Sequence, residues 1–162
     1  MMEGPLKEVT MKIVSKISFI CLFLLLQISC LAAFAASPMG YWKTIDDVSG
    51  KPKSIIKISG SPKYLSGTIV KLYPDTQKLC SPNCPGTLKN KPILGMTIMY
   101  GLKQDANDPN EWSGGTVFDP KTGQIYRCKL TVSDSGKTME VRGYVGISLL
   151  GRSQTWISVS GK

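Results

Sequence analysis

The feature that most restricts the fold of this chain is a two-residue alternation of apolar and polar side chains, which runs from residue 40 almost to the C-terminus. Successive side chains of a strand point to opposite faces, so this alternation is typical of strands with one buried face. Turn-forming segments such as "DVSGKP", "DANDPN" and "SDSG" interrupt it roughly every ten residues. The pattern predicts eight strands, at 40–46, 53–59, 63–73, 93–101, 111–118, 124–132, 137–145 and 151–159.

Eight short antiparallel strands with tight turns form either a closed up-and-down barrel or a two-sheet sandwich. The two ends of the pattern favour the barrel. Gly40 and Trp42 lie on the first predicted strand, and Arg152 shares one face of the last strand with Gln154 and Trp156. First and last strands pair in a closed barrel, so we expect Arg152 to stack over Trp42 and, with Gly40, to plug one end.

A leader precedes the strands. From Ile17 to Ala36 the chain is an uncharged apolar run that follows two lysines and ends in Ala33-Phe34-Ala35. This pattern predicts a secretory signal peptide over 1–35, with cleavage after Ala35 and a true start at Met11. An uncleaved membrane anchor is the alternative, because the run is long enough to span a bilayer. The predicted barrel domain then covers 36–162, in the periplasm or outside the cell.

The chain beyond the leader is basic. Its 127 residues contain 17 Lys and Arg and 9 Asp and Glu, for a net charge of +8. Such a charge attracts anionic lipid head groups, polyanions and acidic ligands, although scattered lysines are also typical of a solvated surface. Export makes nucleic acid an unexpected partner. We expect a monomer with, at most, peripheral contact with anionic envelope components.

Three cysteines follow the leader. Cys80 and Cys84, in "CSPNCPG", predict a short-loop disulfide in an oxidising compartment. Alternation in "QIYRCKLTV" turns Cys128 inward as a free, buried thiol. A redox pair or a metal site is less favoured, since the three-residue spacer is not Cys-x-x-Cys and the chain has no histidine. We expect neither metal nor cofactor.

Catalytic patterns are weak throughout the chain. The absence of histidine excludes every mechanism that uses imidazole as the base. Ser148, in "GISLLG", does not lie in a nucleophile elbow. Asp46 and Asp47 are adjacent and therefore face opposite sides, and both they and Asp119 in "FDPKTG" are better explained as turn residues. An enzyme that uses these carboxylates is the least favoured alternative.

The arginines are more informative, because all three lie in the last 36 positions. Alternation turns Arg127 outward, and also Arg142 unless Gly143 forms a bulge. An inward arginine needs an acid, an aromatic cover or an anionic ligand. We therefore hypothesise that arginines and tyrosines bind the carboxylate of a ligand. For Arg152, the simpler alternative is that it only caps the barrel over Trp42. The candidate residues are Arg142, Arg152, Tyr100, Tyr126 and Tyr144.

The Gly40-x-Trp42 pattern together with Arg152 looks like the signature shared by lipocalins and their calycin relatives. The strings "GYWKTIDDVSGKPKSIIKI", "KPILGMTIMYGLK", "WSGGTVFDPKTGQIYRCKL" and "VRGYVGISLLGRSQTW" resemble the secreted bacterial family DUF2147, over essentially all of the chain beyond the leader. The resemblance implies a single exported all-β domain, a lipocalin-like (calycin-type) barrel, and no established activity. "CSPNC" departs from the two-residue spacer of that family, which a structural disulfide tolerates.

The favoured function is non-catalytic binding of a small apolar or amphipathic, fatty-acid-like ligand inside the barrel. The expected lining is Ile56, Ile58, Met96, Ile98, Tyr100, Trp112, Tyr126 and Leu130. Small barrels are also filled by their own side chains. The alternative is therefore an envelope or secreted interaction protein that acts through its basic surface and the long Pro74–Pro92 loop.

Overall fold

The computed structural model describes residues 36–160, in which the chain forms eight strands and two single-turn 3-10 helices. The strands are β1 Gly40–Ile45, β2 Pro52–Ser61, β3 Tyr64–Leu72, β4 Thr97–Gln104, β5 Glu111–Asp119, β6 Gln124–Val132, β7 Thr138–Tyr144 and β8 Gly151–Val159. The 3-10 turns are Gly86–Leu88 and Ser148–Leu150, the second within the "GISLLG" segment. The predicted signal peptide, its cleavage site and the Met11 start lie outside the described residues. Between residues 36 and 160 no helix is long and apolar enough to cross a bilayer.

The sheet closes on itself. Each strand pairs antiparallel with the next, and β1 pairs with β8 through Tyr41–Val159, Trp42–Ser158 and Lys43–Ile157. Closure leaves no strand edge exposed to pair with another chain. The predicted eight-stranded antiparallel barrel is therefore confirmed.

The barrel interior is packed with the side chains of its own strands. Met99, Cys128, Leu130 and Met139 have no solvent-exposed surface, and the three tryptophans of the chain are also buried. Cys128 is free and buried, which confirms the inward orientation predicted for it. The interior polar pair, Thr44 and Ser54, is satisfied by a 2.8 Å hydrogen bond between the two hydroxyls. The buried apolar surface is the main source of stability in such a core.

One strand differs from its predicted position. β4 begins at Thr97 rather than at residue 93, and Met99 rather than Tyr100 faces the interior. Tyr100 is 45% exposed, so the prediction that it lines the barrel is wrong. The segment "ILGMTIM" is apolar on both faces, so alternation does not indicate which of its residues face the interior. A shift of one residue exchanges the two faces of a strand.

The two ends of the barrel carry different groups. At the N-terminal end lie residues 36–39 and the connections 62–63, 105–110 and 133–137. At the opposite end, which we call the arginine end, lie loops 46–51, 73–96, 120–123 and 145–150. Arg142 and Arg152 are next to the strand termini at this end, and Arg127 is the fourth residue of β6.

The long 73–96 loop is fixed to the β5–β6 turn. The predicted disulfide between Cys80 and Cys84 is present, with an S–S distance of 2.05 Å. The backbone N–H of Ser81 donates to the carbonyl oxygen of Pro120 at 2.9 Å. Both bridged cysteines are buried and belong to the same hydrophobic cluster as the interior residues of the barrel.

Candidate functional site

Trp42 closes the N-terminal end of the barrel together with Pro38. The indole Nε1 of Trp42 donates to the carbonyl oxygen of Pro38 at 2.7 Å, and both residues are buried. Gly40, at the start of β1, has a φ of +134°, a backbone conformation that glycine adopts without steric cost. The prediction that Arg152 stacks over Trp42 as part of this plug is wrong. Trp42 pairs with Ser158 on the antiparallel β8, which places Arg152 six residues away, toward the other end.

Arg152 instead belongs to a polar chain that runs from the core to the arginine end. The Nε1 of Trp156 donates to Gln154 Oε1 at 3.3 Å, and Gln154 Nε2 donates to Asp47 Oδ2 at 3.1 Å. The same carboxylate oxygen of Asp47 forms an ion pair with Arg152. Arg152 thus turns to the inner face but is largely exposed at the end of the barrel, where its acidic partner is Asp47 from the β1–β2 loop.

Arg142 lies on the outer face, as alternation predicts, and binds backbone rather than a carboxylate. Its Nε donates to the carbonyl oxygen of Ser148 at 2.7 Å and its Nη2 to that of Leu149 at 3.1 Å. Its Nη1 donates to Ser153 Oγ at 2.8 Å. Arg142 therefore links the β7–β8 loop to β7 and β8.

The strand register divides the five proposed ligand residues between two faces. Directly paired antiparallel residues share a face. Cys128 pairs with Gly143 and Gly143 with Arg152, so Arg152 faces inward together with Tyr126, which is two residues from Cys128. The outward-facing residues are Tyr100, Arg142 and Tyr144. The structure does not bring the five residues together at one interior site, and their role in binding a ligand stays a prediction.

A cleft of about 190 Å³ lies at the N-terminal end. Its lining is Ser37, Pro38, Met39, Pro62, Leu65, Gln104 and Trp112. Trp112 is buried, and its Nε1 has no hydrogen-bond partner among the described residues. The amide Nε2 of Gln104 is already bound to the carbonyl oxygen of Pro109 at 2.8 Å.

This cleft has mostly apolar walls, Trp112 among them, and no charged side chain among its lining residues. Sequence reasoning named Trp112 only as part of the barrel lining. The strand pattern alone carries no signal for an unpartnered N–H, because hydrogen-bond partners depend on contacts between segments that are distant in the sequence.

The carboxylates of Asp46 and Asp119, near the strand ends, accept hydrogen bonds from turn residues. Asp46 Oδ1 accepts hydrogen bonds from the backbone N–H and the hydroxyl of Ser49, both at 2.9 Å, and these bonds hold the pKa of Asp46 below its usual value. Asp119 accepts from the Lys121 N–H at 2.9 Å. Burial raises the pKa of Cys128 to about 12, which keeps this thiol protonated and unreactive. Within residues 36–160, no three His, Cys, Asp or Glu side chains cluster as metal ligands.

Comparisons with known proteins agree with this architecture. The family described as "Uncharacterized protein conserved in bacteria (DUF2147)" matches residues 40–158. No curated protein matches the chain. Among solved structures, protein HP1028 from the human pathogen Helicobacter pylori, described as a member of the lipocalin family, is similar, with a TM-score of 0.66 and 16% identity. The match covers 77% of this chain and 84% of that one, and at this identity it shows a lipocalin-like fold.

Proposed function

We propose that this chain, which belongs to the DUF2147 family of bacterial proteins, is an exported, non-catalytic protein that binds a small amphipathic ligand in the cleft at the N-terminal end of its barrel. The observation that carries the proposal is that Trp112, which lines this cleft, has a buried indole N–H without a partner among the described residues. The lipocalin-like fold is compatible with small-ligand binding.

A buried hydrogen-bond donor without a partner destabilises the folded protein. Leaving one without an acceptor costs about 1–3 kcal/mol, and nearly all buried donors in folded proteins have a partner. The other two indoles of the chain follow this rule: Trp42 donates to Pro38 and Trp156 to Gln154. A ligand that brings an acceptor to Trp112 gains this energy on binding, together with the burial of its apolar part.

The lining restricts the chemistry of the ligand. An engineered apolar cavity of about 150 Å³ holds benzene, so the cleft takes a compact group of one ring or a short branched chain. With no cation in the wall, burying a carboxylate there is unfavourable. The best occupant is an apolar group that carries an uncharged acceptor, such as an ester, an amide or a ketone, rather than the carboxylate of a fatty acid.

Two further observations support the remaining parts of the proposal. The Cys80–Cys84 disulfide is of a kind that persists in oxidising compartments, which favours export. The carboxylates of Asp46 and Asp119 are committed to turns, and Asp47 is committed to Arg152 and Gln154. These commitments favour binding over catalysis.

The test begins with native mass spectrometry of the exported protein, purified without detergent from a bacterial host that expresses the full chain. Bound compounds are then extracted and identified. In parallel, methyl benzoate and benzoate are titrated into the protein at neutral pH, since they differ in the charge of the acceptor. We expect the ester to bind at least about tenfold more tightly than the anion.

The matched variants are Trp112→Phe and Trp156→Phe. Each removes one buried indole N–H, but only the first removes the unpartnered donor. We expect Trp112→Phe to weaken ester binding about tenfold and Trp156→Phe to leave it unchanged. Equal binding by both variants, or an apo mass with no binding of either probe, would show that the cleft is not a ligand site.

A further inference from the structure

The β7–β8 loop presents four apolar side chains to solvent. Val145 is 68% exposed, Ile147 62%, Leu149 82% and Leu150 77%. We call these four residues the apolar tip. Single exposed apolar residues are ordinary on a protein surface, but a contiguous exposed patch marks an interaction site. Ile125, at the start of β6 and at the same end of the barrel, is also exposed.

The apolar tip is held outward rather than left free to collapse. The Arg142 guanidinium binds the carbonyl oxygens of Ser148 and Leu149 and, through Ser153 Oγ, the body of β8. These bonds anchor the backbone of a loop whose four apolar side chains are largely exposed. A fixed apolar loop loses little conformational entropy when it enters another apolar phase.

The charge around the apolar tip is positive. The four loops of the arginine end contain five lysines and three aspartates, whereas the described connections at the N-terminal end contain two lysines and three aspartates. Arg152 is paired with Asp47, and Glu140 accepts a 2.9 Å hydrogen bond from Ser153 Oγ. Among the described residues, neither Arg127 nor Arg142 has a carboxylate within 4.0 Å.

We propose that the arginine end docks on an anionic lipid bilayer, with the apolar tip in the boundary between head groups and acyl chains. Arg127 and the loop lysines then face lipid phosphates. Interfacial binding of this kind depends jointly on buried apolar area and on attraction between basic residues and anionic lipids. The arginine end supplies both on one surface. This docking is independent of the cleft, which lies at the opposite end of the barrel.

The test is co-sedimentation of the exported protein with vesicles of phosphatidylethanolamine and phosphatidylglycerol, compared with vesicles of phosphatidylcholine alone. We expect binding to the anionic vesicles that weakens at least about tenfold when the salt concentration is raised from low to molar levels. The double variant Leu149→Ser/Leu150→Ser should weaken binding by about tenfold or more. Both leucines are largely exposed, so this variant is expected to fold.

Two controls match these changes at the other end. Tyr64→Ser removes an exposed apolar side chain of β3 at the N-terminal end and should bind like the wild type. Lys63→Gln removes one charge there, as Arg127→Gln does at the arginine end, and only Arg127→Gln should weaken binding. The proposal is overturned if no anionic vesicles are bound, or if the leucine variant and Tyr64→Ser behave alike. It is also overturned if the tip instead mediates self-association, seen as a dimer that Leu149→Ser/Leu150→Ser dissociates without any vesicle binding by the wild type.

Discussion

The indole nitrogen of Trp42 donates a 2.7 Å hydrogen bond to the carbonyl oxygen of Pro38, four residues earlier in the chain. Pro38 is fully buried by this arrangement. The segment before β1 therefore becomes part of the core, and it also supplies three residues of the cleft wall, Ser37, Pro38 and Met39.

Trp42→Ala should lower the free energy of unfolding by about 3–5 kcal/mol, because it truncates a large buried aromatic side chain. Trp42→Phe should cost less, about 1–3 kcal/mol, since the ring stays and mainly the bond to the buried Pro38 carbonyl is lost. Urea denaturation, followed by circular dichroism, measures both. A cost below about 1 kcal/mol for Trp42→Ala would mean that Trp42 does not close the barrel.

Gly123→Ala should detach the long loop from the β5–β6 turn. Gly123 has a φ of +76°, and a Cβ there would overlap the carbonyl group of Asn83. Gly146→Ala is the matched control, because its φ is +72° but no atom lies within 4 Å of the added Cβ. Left-handed backbone costs alanine about 1–2 kcal/mol at either site. Thermal or urea unfolding should therefore show an extra loss of about 1–3 kcal/mol at Gly123 alone; equal losses would show that the loop is not held there.

Cys128 should make stability depend on pH in the alkaline range. Its pKa is about 12 in the folded barrel, against an ordinary value of 9.0. Below pH 9 both states hold the proton, so stability is unaffected; between pH 9 and 12 the unfolded state releases it first. Stability then falls with rising pH by up to about 1.4 kcal/mol per unit from this group. Urea titrations of the wild type and Cys128→Ala, compared across that range, isolate the slope, which must be steeper in the wild type.

The ion pair between Asp47 and Arg152 should contribute little to stability. The Arg152 side chain is 70% exposed, and exposed pairs contribute about 0–1 kcal/mol. A double-mutant cycle of Asp47→Asn and Arg152→Gln, analysed by urea unfolding, should give a coupling energy below about 1 kcal/mol that shrinks with salt. A larger, salt-independent coupling would indicate that the pair is screened from water far more than its exposure implies.

Alternation was sufficient to predict the strands wherever one face is polar. In β6, Cys128 and Leu130 alternate with Arg127 and Lys129, and both the strand limits and the inward faces were predicted correctly. Alternation failed to predict the inward face of β4, where neighbouring residues such as Ile98 and Met99 are both apolar and both buried. Which of them faces the interior is decided by contact with Gly67, whose missing side chain leaves room for Met99. No local pattern in the sequence contains that information.

The candidate site was harder to predict, because it depends on pairings between distant segments. Arg152 and Trp42 share the inner face of neighbouring strands, yet the antiparallel register places Arg152 beside Gln154 and Asp47 instead. The Trp112 donor has no partner among the described residues, although Gln104 is directly opposite it on β4. Residue types identified the candidates, but the register decided their partners.

The cleft and the apolar tip lie at opposite ends of one closed barrel. Nine-residue strands such as β5, β6 and β8 span about 30 Å, and the tilt required by closure leaves about 20 Å along the axis. A barrel docked on lipid by the apolar tip thus holds its cleft on the side that faces away from the bilayer. On the two proposals taken together, a ligand of the cleft would exchange with the aqueous phase and not with the membrane below.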